Sequence, residues 1–191
     1  MKRICVFCGA NSGKNPRFVE AAKKLGKLLV QNHLGLVYGG ASIGLMGAIA
    51  DAVIDQGGEV IGVIPEDLVK KELAHKKLKD LRVVRSMHER KALMERLSDG
   101  FIALPGGFGT LDELCEILTW AQLSFHTKPC GMLNVGGYYD KFLSFLDHAV
   151  SQEFLLKEHR SILLKAASPE KLLRLLKNYR PIPVHQWVKS V

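Results

Sequence analysis

No apolar run in the 191 residues approaches the roughly 20 needed to span a bilayer, and the N-terminus lacks the extended hydrophobic segment of a secretory signal. The sequence therefore predicts a cytoplasmic protein with no membrane attachment. Cysteine is sparse: Cys5, Cys8, Cys115 and Cys130 are expected to be ordinary buried thiols of a reducing compartment. Cys5 and Cys8 form C-x-x-C, but inside an apolar run and with no second pair or ligand-spaced histidines, which argues against a metal site. The dinucleotide pattern G-x-G-x-x-G is missing, because counting from Gly107 and Gly109 its third glycine would fall at Asp112. A Walker lysine is missing too. Gly39 and Gly44 superficially resemble a P-loop, yet Leu45 and Met46 stand where Lys and Ser/Thr are required, which argues against an NTPase. Nothing suggests a Ser-His-Asp or Cys-His nucleophile, and no lysine stands out as a Schiff-base former. Fixed-period repeats, low-complexity tracts and linkers are likewise missing, so residues 1–191 are expected to form one domain, with residues 168–191 packed on it.

A chain of this length can bury about 70% of its unfolded surface, and 47% hydrophobic with 24% charged residues is ordinary for a globular protein. The net charge of +8 is concentrated: between Lys70 and Lys91 nine Lys/Arg face three Asp/Glu, so that stretch carries +6. No nucleic-acid reading module accompanies it, and no nucleic-acid partner is expected. The stretch is either a solvated basic face or a local field for a small phosphorylated ligand.

Short apolar runs alternate with helical spacing. Strands are predicted at 3–8, 35–38, 59–64, 81–84, 101–104 and 128–133. Helices are predicted from Asn15-Pro16 to about 32, after the second glycine loop to about 56, from 86 to 97, after the third glycine loop to 122, from 138 to 153, and from 168 to 179. Residues 66–80 read as irregular with some helix. Phe142, Phe145, Leu146 and Ala149 are expected on one helix face, and Trp187 of the extended tail on a surface. This alternation implies an α/β fold, a Rossmann-like doubly wound parallel sheet flanked by helices. Three glycine-rich loops, 8–13, 39–47 and 105–109, would then open on one edge.

The third loop carries most of the chemistry. After the run Phe101 to Leu104, Pro105 stops the ladder, and Gly106, Gly107 and Gly109 let main-chain N–H groups approach an anion while the following helix points its positive dipole end at the same place. Thr110 can add a hydroxyl. Arg90 shares a predicted apolar helix face with Met87, Leu93, Met94 and Leu97, so its guanidinium must meet a carboxylate or an anionic ligand. Glu113 has two readings. Thr110-x-x-Glu113 matches a capping box, and the same carboxylate in the first turn beside the cradle is within reach of a bound nucleotide's sugar. Glu116 lies one turn further on that face, whereas Asp112 is rotated by about 100°. Glu72, His88, Cys115 and Trp120 carry weaker signals, a surface ion pair, a helix start and core positions respectively.

Pro105-Gly-Gly-Phe-Gly-Thr-Leu-Asp-Glu113 resembles P-G-G-x-G-T-x-x-E, and Met87-His-Glu-Arg-Lys91 resembles M-H-x-R-K, the paired motifs of the Lonely Guy (LOG) family of cytokinin riboside 5′-monophosphate phosphoribohydrolases. The resemblance extends to Cys8-Gly-Ala, Tyr38 to Gly47, Thr119 to Gln122 and Lys128-Pro. It implies hydrolysis of the N-glycosidic bond of adenine-type nucleoside 5′-monophosphates, such as AMP or its N6-modified forms, to free base and ribose 5-phosphate. It also implies a homodimer with its active site near the subunit interface, and no cofactor. By position, Arg90 and Glu113 correspond to the catalytic pair, Gly107 to Thr110 to the phosphate turn, and Glu72, Lys91 and Thr119 to further substrate contacts. Gly106, Phe108, Leu111 and Asp112 of the same turn, with Gly9 and Gly40 of the other two loops, complete the candidate binding set. Asp112 stands where the motif often has Glu, and Ala10 replaces a common Ser. A non-catalytic nucleotide or phosphorylated-cofactor carrier on the same fold is the alternative reading.

Overall fold

A computed structural model describes residues 1–71 and 73–181. Glu72 and the tail from residue 182, including Trp187, lie outside the described residues. Among the described residues, seven strands form one all-parallel sheet: β1 (Arg3–Phe7), β2 (Gly35–Tyr38), β3 (Val60–Pro65), β4 (Asp80–Val84), β5 (Phe101–Ala103), β6 (Cys130–Leu133) and β7 (Leu163–Ala166). Their spatial order is β4-β3-β2-β1-β5-β6-β7. The chain thus builds outward from β1 to one edge, returns to lay β5 against β1, and builds to the other edge. The β1/β5 junction is the topological switch point, where the loops leaving the two strands diverge and open a crevice at their carboxyl ends.

Burial on both faces explains the continuous apolar runs. Along β1, Ile4 and Val6 enter one core with α1 (Arg17–Gln31), α2 (Gly44–Ile54) and α8 (Pro169–Lys177), while Cys5 and Phe7 enter a second core with Met94 of α4 (Met87–Leu97) and Ile117 of α5 (Phe108–Gln122). A third core joins Leu114 of α5 to Leu143 of α6 (Asp140–Ser151), Met132 and Leu163. Cys5 and Cys8 accordingly face different cores. Gly26 is required where α1 crosses α2, since a β-carbon there would sit 2.9 Å from the Ile49 carbonyl oxygen.

Most predicted elements are present, with shifted ends and two additions. The short helix α7 (Lys157–Arg160) and the edge strand β7 were not anticipated; β7 is four residues long, half-buried and contains Lys165, so it lacks the apolar run that marks the inner strands. The predicted irregular segment contains α3 (Glu66–Lys70) and then bridges back antiparallel at Ala41/Ala74. Helix α6 begins at Asp140 rather than at 138, because the 3₁₀ turn Val135–Gly137 has Gly136 and Gly137 at positive φ. Its buried residue is Leu143, and Phe145 points outward at 62% exposure, so the expected apolar face is rotated. Met87 and Cys115 are also exposed, not core residues; each lies on the outer side of its helix. Ser168 and Pro169 start α8 as expected, the serine oxygen accepting the Lys171 N–H. No helix among the described residues is long and apolar enough to cross a membrane.

Candidate active site

The three glycine loops converge over the switch point and enclose a pocket of about 540 Å³. Main-chain bonds stitch them together: Gly9 N–H donates to the Pro105 carbonyl at 3.0 Å, and Leu45 N–H donates to the Gly9 carbonyl at 3.1 Å. Gly44 has φ +57°, and a side chain there would run into the backbone of Ala10. Gly106 has no room for a β-carbon either, since Thr110 packs directly against it. Gly107 and Gly109, by contrast, face open space.

Helix α5 begins at Phe108 with Gly107 as its cap and no side-chain cap. Its first-turn amides therefore have no intrahelical partner and, with the helix dipole, make the rim of Gly107 to Thr110 suited to an anion. This start also overturns the capping-box reading: Thr110 is buried inside the first turn, and Glu113 extends away from the helix end. The glycines, which can adopt the entry geometry without a side-chain cap, move the helix start three residues ahead of what the Thr/Glu spacing indicates, from a cap at 110 to one at Gly107.

Glu113 instead meets Arg90, with Arg90 Nη1 3.4 Å from Glu113 Oε1 and both residues 8% exposed. The guanidinium is held elsewhere. Arg90 Nε donates to the Val63 carbonyl at 3.1 Å and Nη2 to the Gly39 carbonyl at 3.4 Å, while Nη1 also lies 3.7 Å from Met87 Sδ. Anchored within β3 and just beyond β2, it offers Glu113 one long contact rather than a two-pronged fork. Burial consequently dominates, and it pushes the Glu113 carboxyl up to about 7 despite the opposing pull of Arg90. Of the two readings of Arg90, a structural ion pair and a ligand contact, the geometry fits a guanidinium that is paired and still borders the pocket.

Seven of the candidate residues come together on the pocket wall: Gly9, Arg90, Gly106, Gly107, Gly109, Thr110 and Glu113. Gly40 stands behind it, at φ +76° against Ile64, with its carbonyl accepting the His75 N–H. Lys91, off the pocket wall and largely buried, forms salt bridges with Asp112 at 3.0 Å and Glu116 at 3.1 Å, which tie α4 to α5. Burial disfavours the Lys91 charge, but the hydrogen bonds of the two carboxylates outweigh it and raise its pKa. Phe108 is 94% exposed, and Leu111 and Asp112 lie off the wall. Thr119 lies on an exposed side of α5, its hydroxyl donating to the Cys115 carbonyl at 2.7 Å.

Sequence reasoning missed the apolar side of the pocket. Phe18, Ile43, Met46, Leu68 and Leu73 line it, as does Tyr138. Leu68 and Leu73 arrive on the segment between β3 and β4, docked by Ser42 N–H to the Leu73 carbonyl at 3.0 Å and by His75 N–H to the Gly40 carbonyl at 2.9 Å. A leucine pair within a lysine-rich stretch was the available signal.

The chain matches the family described as "Possible lysine decarboxylase" over residues 46–176. It is 51% identical over 180 residues to the cytokinin riboside 5′-monophosphate phosphoribohydrolase LOG of Oryza sativa subsp. japonica, covering 94% of this chain and 74% of that one. It is 50% identical over 180 residues to LOG7 of Arabidopsis thaliana, which carries the same activity name, with 94% and 83% covered. The chain belongs to the LOG family. Among solved structures, the molybdenum cofactor binding protein of Rippkaea orientalis superposes with a TM-score of 0.69 at 24% identity, over 93% of this chain and 96% of that one, a likeness of fold.

Proposed function

We propose that this LOG-family protein hydrolyses the N-glycosidic bond of adenine-type nucleoside 5′-monophosphates, giving free base and ribose 5-phosphate. One observation carries the reading: a buried, weakly paired carboxylate, Glu113, sits one helical turn inside an anion-binding helix start. The 5′-phosphate docks on the Gly107 to Thr110 amides, which places the ribose over Glu113 and Arg90. The apolar wall of Ile43, Met46, Leu68 and Leu73 takes the base. As the C1′–N bond breaks, its electron pair leaves with the base and positive charge develops on the ribose; ionised Glu113 stabilises that charge and orients the attacking water. Water oxygen bonds to C1′, and its two protons end on the departing base and the new hydroxyl. Arg90 makes charge-assisted contacts that fix the sugar and phosphate against Glu113.

The protein acts as a cytoplasmic homodimer in this reading. Thr119 lies off this chain's own pocket, on the same helix as the exposed Phe108, which supports a second subunit approaching along α5. Purified protein incubated with AMP and with N6-isopentenyl-AMP is expected to release adenine or the modified base together with ribose 5-phosphate. Binding of both nucleotides without release of either product would instead favour a carrier.

A further inference from the structure

The segment between β6 and α6 carries two consecutive tyrosines, and both hydroxyls are spent on the loop that leaves β5. Tyr139 OH donates to the Leu104 carbonyl at 2.6 Å, and Tyr138 OH donates to the Gly106 carbonyl at 2.6 Å. Neighbouring groups hold the segment in place. Asn134 Oδ1 accepts the Tyr139 N–H at 2.8 Å, Asn134 Nδ2 donates to Asp140 at 2.7 Å, and the turn needs glycine at 136 and 137, whose φ values are 58° and 75°. The two rings differ in setting. Tyr139 is a core residue, whereas Tyr138 is 45% exposed, borders the pocket and packs edge-on against Phe18 at 5.5 Å.

A peptide carbonyl aimed at a phosphate dianion repels it, and the trans peptide fixes the N–H of the next residue on the opposite side. Around the cradle, the Pro105 carbonyl accepts from Gly9 N–H and the Gly9 carbonyl from Leu45 N–H, so both are held by main chain. The Gly106 carbonyl is held by a side chain, that of Tyr138. Because Gly106 and Gly107 lack β-carbons, the peptide between them can turn over with little steric resistance unless something pins it.

We propose that Tyr138 is a positioning residue of the phosphate cradle, whose hydroxyl pins the Gly106–Gly107 peptide with its carbonyl turned aside and its N–H available to the 5′-phosphate. The proposal rests on the phosphoribohydrolase reading for the identity of the ligand, and on the cradle geometry for the effect. It predicts a defect confined to phosphate-bearing ligands. In Tyr138→Phe the ring and its packing on Phe18 remain, and loss of one hydrogen bond is expected to weaken ribose 5-phosphate binding by about 3- to 10-fold, with adenine binding within about 2-fold of wild type. For a nucleoside monophosphate that the wild type turns over, KM is expected to rise by a similar factor while kcat changes little.

Tyr139→Phe serves as the control, because its lost bond lies in the core; it should lower the midpoint of thermal unfolding without discriminating ribose 5-phosphate from adenine. Isothermal titration of both variants and wild type with ribose 5-phosphate and with adenine decides the matter. Unchanged ribose 5-phosphate affinity in Tyr138→Phe overturns the proposal, as does equal weakening of both ligands or failure of the wild type to bind ribose 5-phosphate. A wild type that binds ribose 5-phosphate but hydrolyses no monophosphate sinks the enzymatic reading and leaves the titration of Tyr138→Phe decisive for the cradle.

Discussion

Glu113→Gln keeps the shape of the side chain and removes its charge, so it separates what the carboxylate does for catalysis from what it costs the fold. Burial raises the Glu113 carboxyl from 4.5 to about 7. Below about pH 4.5 both the folded and unfolded chains hold this proton, and the full contribution to stability is present. As pH rises toward 7 the unfolded chain sheds the proton first, and stability falls; above about 7 both states are ionised and the loss is complete. At about 1.4 kcal/mol per tenfold change in proton affinity, the loss amounts to up to about 3 kcal/mol. The glutamine variant has no such slope. Urea unfolding of wild type and variant at pH 5, 6, 7 and 8 should therefore show the variant gaining relative stability stepwise, by up to about 3 kcal/mol, with most of the gain below pH 7.5. In parallel, kcat for a monophosphate should fall by roughly 10²- to 10⁴-fold, the range for removing a general acid–base group. A stability difference that stays flat across these four pH values would refute the claim that burial outweighs Arg90. Retention of full activity would refute the assigned role.

Other perturbations test neighbouring contacts. Arg90→Met removes the guanidinium that opposes the burial effect on Glu113, so the pH at which the wild-type stability slope levels off should move above 7, read from the same urea series. Gly106→Ala and Gly107→Ala should behave differently, since a β-carbon at 106 collides with Thr110 and one at 107 meets nothing within 4 Å. The first should lose about 1–3 kcal/mol of stability; the second should fold normally and show its defect in KM. His75 Nδ1 accepts the Lys77 N–H at 3.3 Å, and Nε2 faces Asp51 at 3.5 Å, which clips the Leu68/Leu73 segment to α2. His75→Asn keeps an acceptor for Lys77 but cannot reach Asp51; limited proteolysis should cut residues 66–79 faster, with KM raised a few-fold and kcat little changed.

The alternation of strands and helices was legible because strands buried on both faces must be continuously apolar, as in 3–8 and 101–104. Arg90 was legible as an anomaly, a charge on an apolar face, although the exposed Met87 means the apolar stripe was narrower than the pattern implied. Glu113 was ambiguous for a physical reason: a capping glutamate and a site glutamate occupy the same helical position, and only the true helix start at Phe108 separates them. Edge strand β7 escaped notice because a half-exposed strand has no apolar run to display. Tyr138, Leu68 and Leu73 reach the pocket from segments remote in sequence from the 105–109 glycine motif, through contacts such as the 2.6 Å bond to Gly106 that no local spacing encodes.

A tightly forked Arg90–Glu113 pair would be a poor hydrolytic site. Two parallel hydrogen bonds would occupy the carboxylate oxygens that a substrate needs. The fold prevents this by spending two of the guanidinium's nitrogens on the carbonyls of Val63, within β3, and Gly39, just beyond β2, while Glu113 hangs from α5 beyond β5. The strand order sets the two anchors apart, because β2 and β5 flank β1 on opposite sides. The 3.4 Å contact that results is close enough to keep Arg90 beside the carboxylate and too loose to neutralise it. A carboxyl at about 7 and an arginine with one nitrogen turned to the pocket both follow from that spacing. The weakness of the ion pair is therefore the property on which the proposed chemistry depends.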